Sequence, residues 1–175
     1  QFVGAACGPD QHRRPAGSEV NIRDLFDQLL RSDRDAVDLC VLVFDWANTY
    51  DHLVDGQVPE DHRAETLHNA MWACTVGMNR NPFFRRHQQE LMVTFANAVT
   101  SWRAATSLQQ RSDRHSHIVA HVLRWAPIEF FVHCARLVGG DRWADACAPA
   151  FWLAMTEKHT LEQFLPECGG THANA

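Results

Sequence analysis

The residues best suited to chemistry lie between Asp45 and Asp55. In Asp45-Trp-Ala-Asn48-Thr-Tyr-Asp51-His52-Leu-Val-Asp55, three carboxylates and an imidazole fall within three helical turns. At about 100° per residue, Asp45, Asn48, His52 and Asp55 share a sector of roughly 80°, with Asp51 at its edge. Such a group repels itself unless it is solvated, paired with arginine or neutralised by a cation. The cation reading makes Asp45, Asp51 and Asp55 ligands to a hard divalent ion such as Mg²⁺, with Asn48 and His52 in the same pocket.

A second group lies downstream. Glu129 and His133 are four residues apart and share a helix face with Arg136, inside the otherwise apolar run Ile128–Ala135. They read either as a local Glu–His pair or as the other half of a site facing Asp45 and Asp51. In the second case Glu129 or His133 is the general base. Arg85 and Arg86 follow Asn81-Pro82 at a helix start, where arginines beside free N–H groups can hold phosphate. Glu65-Thr-Leu-His68 has the Glu-x-x-His spacing of di-iron bundles, but its only mate, Glu129 and His133, has one residue too many. The chain has no Gly-rich phosphate loop, nucleophile elbow, His-Glu-x-x-His helix or zinc-finger pattern.

Helices must position these groups. Only Gly56 and Gly77 interrupt the stretch from Ser18 to Val138, and apolar residues recur with helical spacing rather than alternating. The pattern predicts helices over Ile22–Leu30, from Ser32 or Asp33 to about Val54, and over Glu60–Met78. Asn81-Pro82 opens a helix of about 25 residues through Trp102. Ser112 or Asp113 starts the next, kinked at Pro127 and stopped by Gly139-Gly140. A last helical region, Asp141–Leu165, is broken at Pro149. The expected fold is all-α: one irregular bundle of five or six helices over residues 18–167, between irregular tails 1–17 and 168–175. The Asp33–Val54 helix, apolar on most sides, is expected near its centre.

Composition sets outer limits. A chain of 175 residues with net charge −5 is one ordinary domain without the basic surface of a nucleic-acid binder. Fifteen of its sixteen basic residues are arginine, with Lys158 the exception, so guanidinium partners for the acids are plentiful. Its longest fully apolar run is far short of a bilayer span, no secretory signal is read at its start, and its evenly spread cysteines read as the reduced thiols of a cytoplasm. Cys40, Cys74, Cys134 and Cys147 sit in apolar helical patterns as small buried groups. Cys7 and Cys168 lie in the two tails, where they could pair.

Two resemblances attach to these motifs. The segment Asp45…Tyr50-Asp51-His52-Leu53-Val54-Asp55-Gly56 resembles the Asp-rich helix of class I isoprenoid synthases, with histidine at position 52 where an adjacent aspartate is usual. That resemblance implies that Asp51 and Asp55 hold Mg²⁺ against a pyrophosphate. Over most of its length the chain is similar to small helical proteins of tailed phages and prophages. That similarity runs through Tyr50–Gly56, Asn81-Pro82-Phe83-Phe84 and Glu129…His133-Cys134-Ala135…Gly139-Gly140. It implies a phage-encoded accessory protein that binds a phage or host protein, in the virion or the host cytoplasm. The two expectations are therefore a binding protein and, as the alternative, a Mg²⁺-dependent enzyme on a phosphate or pyrophosphate substrate. The lack of a complete catalytic constellation favours the binder.

Overall fold

Helix starts are written locally, by side chains that accept the first free N–H groups. The computed structural model describes residues 21–157 and 159–168, and they are helical with no strand. Asn21 accepts from the Arg23 amide at 3.0 Å and opens α1, Ile22–Leu29. Asp33 accepts from Ala36 at 3.0 Å and opens α2, Arg34–Val54. After Pro59 the chain continues through α3, Glu60–Trp72, a π turn at Ala73–Gly77, and α4, Met78–Arg80. A Cβ on Gly77 would stand 3.1 Å from Leu42 Cδ2, so the missing side chain lets the π turn press against α2.

Asn81 caps α5, Pro82–Arg86, by accepting from Phe84 at 2.9 Å, and its amide donates to the Asp35 carbonyl at 2.8 Å. One side chain thus starts a helix and fastens it to the beginning of α2. The expected 25-residue helix does not form as one piece. His87 leaves helical geometry, and α6 runs separately over Gln88–Gln109. Phe83 and Phe84, on the short α5 before the break, are both buried in the core. Asp113 caps α7, Arg114–Arg124, through the Ser116 amide and hydroxyl.

The two prolines behave oppositely. At Pro127 the helix ends and α8, Pro127–Gly139, begins. Pro149 lies within α9, Asp141–Thr156, which continues past it, correcting the expected break. Proline frees the carbonyl four residues earlier; here that belongs to Asp145, which is exposed, so water can take the bond. A short α10, Leu161–Phe164, follows behind a Thr160–Gln163 capping box. The tails expected at 1–17 and 168–175 fall outside the described residues, apart from Cys168.

The core is aromatic. Phe26 of α1 packs on Phe131 of α8 at 4.8 Å and Phe151 of α9 at 5.8 Å between ring centroids. Six residues of α8 are buried, against five of the longer α2, and those five all precede Phe44. The central helix is α8; α2 enters the core only over its first half. Cys40 and Cys134 are buried against each other there, and burial, with Cys134 adding, holds the Cys40 thiol well above its usual pKa. At the rim, Trp143 donates to the Leu29 carbonyl at 2.8 Å, and the Arg31 guanidinium lies over its ring. A smaller cluster gathers Ala105, Ala120 and Phe164 under Trp102 and Leu123. Arg114–Gly139, spanning α7 and α8, is long and apolar enough by length and composition alone to cross a bilayer, where the sequence led us to expect no such stretch; much of α8 is core.

Candidate functional site

The acidic stripe occupies the half of α2 that leaves the core. Asp51 and Asp55, one turn apart, both face Arg124 at the end of α7, with Nη2 at 3.2 and 3.8 Å from their carboxylates. Arg124 also lies over the Phe164 ring of α10, 5.6 Å from its centroid. A guanidinium suits this place because one of its nitrogens reaches two carboxylates while its face rests on a ring. Partial burial lifts the Asp51 pKa, Arg124 opposes that lift, and the neighbouring Asp55 adds to it. These two acids are held by an arginine and serve as a latch between α2, α7 and α10.

The remaining stripe residues stand apart. Asp45, Asn48 and His52 are exposed. Desolvation lifts the Asp45 carboxyl somewhat, and no hydrogen bond or ion pair to its side chain occurs among the described residues. No group of three or more His, Cys, Asp or Glu residues among those described is arranged to hold a metal ion. Where an Asp-lined pocket was expected between helices, the space between α2, α6 and α8 is a crevice of about 10 Å³ lined by apolar groups including Val43, Trp46, Phe95, Trp102 and Phe130. That is room for about one water at most.

Glu129 and His133 also have different neighbours from those expected. Glu129 is exposed and has no side-chain partner among the described residues. His133 is partly buried, and its Nε2 lies 3.9 Å from Glu90 of α6, beyond hydrogen-bond range. That nitrogen is buried without a hydrogen-bond partner among the described residues. Glu90 also lies 3.9 Å from Nδ1 of His87, so the α5–α6 junction contributes two titratable groups beside α8. Burial lowers the His133 pKa, Arg136 and His87 lower it further, and Glu90 acts in the opposite sense. Arg136 itself donates to Asp141 at 2.9 Å, across the Gly140 corner.

Arg85 and Arg86 are exposed in the last turn of the five-residue α5, at the carbonyl end rather than the N–H end. The N–H end is closed by Asn81. A separate open recess of about 620 Å³ lies between α7 and α9, lined by His121, Leu153, Thr156, Glu157 and His159. There a ring nitrogen of His121 is engaged by the His159 carbonyl at 3.0 Å.

Three features escaped sequence reasoning. Arg124 was not singled out from fifteen arginines, and its only signal was a charge in an otherwise apolar helix end. Glu90 and His87 gave no signal as neighbours of His133. The third feature is α3, where Ala70 alone is buried while Leu67, Met71 and Trp72 are 48%, 57% and 53% exposed. Val76, on the π turn, is 36% exposed. Compared with family models, curated proteins and solved structures, the chain matches none.

Proposed function

We propose that this protein acts by binding another protein through the exposed face of α3. The observation that carries this is the run of Leu67, Met71, Trp72 and Val76, large apolar side chains left in water along one helical rod. Large apolar residues exposed together on one element are a common mark of protein interfaces, and tryptophan and methionine are residue types enriched there. The similarity to small helical proteins of tailed phages supplies the setting: an accessory protein of the virion or the infected cell. The acids support the same reading, because Asp51 and Asp55 are occupied by Arg124. The competing Mg²⁺-dependent enzyme would require the cation to displace that guanidinium.

Two measurements test this. In extracts of phage-infected cells, a protein retained by the wild-type chain should be released by Met71→Glu/Trp72→Glu; equal retention by both would remove the reading. Melting curves with Mg²⁺ or EDTA are expected to coincide. A metal at a hundredfold excess over its dissociation constant would stabilise the fold by about 2.7 kcal/mol, and that shift would restore the enzyme.

A further inference from the structure

The rod from Glu60 to Arg80 has a polarity along its length that matches its own reverse. Its first turns carry Glu60, Asp61 and Glu65, offset by Arg63, whereas residues 66–80 contain no acid and end in Arg80, with Arg85 and Arg86 following on α5. All seven charged side chains are exposed. Met71 lies between the two ends, about 16 Å from Glu60 and about 14 Å from Arg80 at 1.5 Å per residue. At 100° per residue, Glu60, Leu67 and Met71 fall within a sector of about 40°. The π turn then adds one residue to a turn, which brings Val76 back to the side of Met71.

From this we infer that the partner of the α3 face is a second copy of the chain, packed antiparallel about a two-fold axis near Met71. A two-fold interface must be self-complementary, and here each requirement is met by sequence order. Leu67 of one rod meets the Val76 region of the other, and Met71 meets its own counterpart at the axis, with Trp72 to one side. The acidic start of each rod lies against the basic end of its mate. A parallel arrangement would set acid against acid and base against base. The inference rests on α3 being a binding face, and it narrows the partner of that face to the chain itself.

Sedimentation of the full chain over a range of concentrations tests it, with circular dichroism to verify that each variant is folded. The wild type should form a dimer whose dissociation constant rises at least tenfold in Met71→Glu and severalfold in high salt. Glu60→Arg/Glu65→Arg should also weaken the dimer, and adding Arg80→Glu/Arg85→Glu should recover it. A wild-type monomer at about 0.1 mM, where a standard-size interface would be associated, overturns the pairing. So does a dimer that Met71→Glu and the charge reversals leave unchanged. If the wild type is monomeric but Met71→Glu/Trp72→Glu still releases a captured protein, the binding face stands and only self-pairing fails.

Discussion

The two halves of α2 carry almost the same number of apolar residues, seven from Ala36 to Val43 and six in the longer stretch from Phe44 to Val54, and meet opposite fates. From Ala36 to Val43 the helix places five residues in the core, where Leu39 and Cys40 are completely buried. From Phe44 onward it carries Phe44, Trp46, Tyr50, Leu53 and Val54, yet none is fully buried, and Val54 is 57% exposed. Trp46 and Tyr50 stack on each other at 5.7 Å, and Tyr50 meets Trp102 edge-on at 5.0 Å, forming a half-open aromatic ledge. The difference lies in the neighbours. The first half packs among α1, α5 and α8, while the second adjoins the largely solvent-facing α3 and is fixed by Arg124. Apolar content sets what a helix can bury; the surrounding elements decide what it does bury.

The contrast should appear first in stability. Phe131→Ala, on α8 in the core that receives the first half of α2, should cost about 3–5 kcal/mol, whereas Trp72→Ala on the open side should stay within about 0.5 kcal/mol. Urea titrations of both variants decide this, and comparable losses would show that the open side is part of the core after all. Gly140→Ala comes next. With φ 81° and ψ 174°, Gly140 occupies a region open essentially to glycine, and the substitution should cost about 1–3 kcal/mol by strain at the α8–α9 corner.

Breaking the latch is a smaller change. Arg124→Ala should cost about 1 kcal/mol at neutral pH, since the pair is only partly shielded from water. A carboxylate whose folded pKa is raised contributes stability that is fully present below its unfolded pKa and lost as pH rises through the folded value. Without Arg124 the Asp51 pKa should climb further, so the variant should lose more stability than wild type between about pH 4 and 7. A penalty that shrinks with rising pH would contradict the latch. The smallest effect belongs to His133. Its lowered pKa means that folding loses stability as pH falls through the unfolded histidine value near about 6.5. In His133→Asn that acid sensitivity should weaken, as read from melting temperatures at pH 7 and pH 5.

What was legible in the sequence was local. Asn21, Asp33, Asn81 and Asp113 cap helices because each acts on an amide two or three residues away. Gly140 stops α8 for an equally local reason, its positive φ. Partners across the fold were not legible. Arg124 is 73 residues from Asp51, and its apolar neighbours mark it as a charge needing a partner without saying where that partner lies. The same limit applies to the prolines: Pro127 and Pro149 look alike in sequence, yet before Pro127 the Leu123 carbonyl accepts from Ala126 in a tight turn that ends α7, while before Pro149 the helix runs on past an exposed Asp145. The sequence set the acids out as one group; in the fold Arg124 meets Asp51 and Asp55 while Asp45 stands apart, and that division depended on tertiary placement.

The π turn at Ala73–Gly77 works as a register buffer. Downstream of it, Met78, Phe83 and Phe84 are anchored in the core, so that side cannot rotate freely. The wide turn absorbs one residue without changing the phase of the helix on either side. Deleting a single residue there and restoring an ordinary α-helix would leave Leu67 and Met71 pointing where they do, whereas winding the present length into an unbroken α-helix would swing them by about 100°. The direction of the exposed face is thereby insulated from a one-residue change in the length of the chain that carries it.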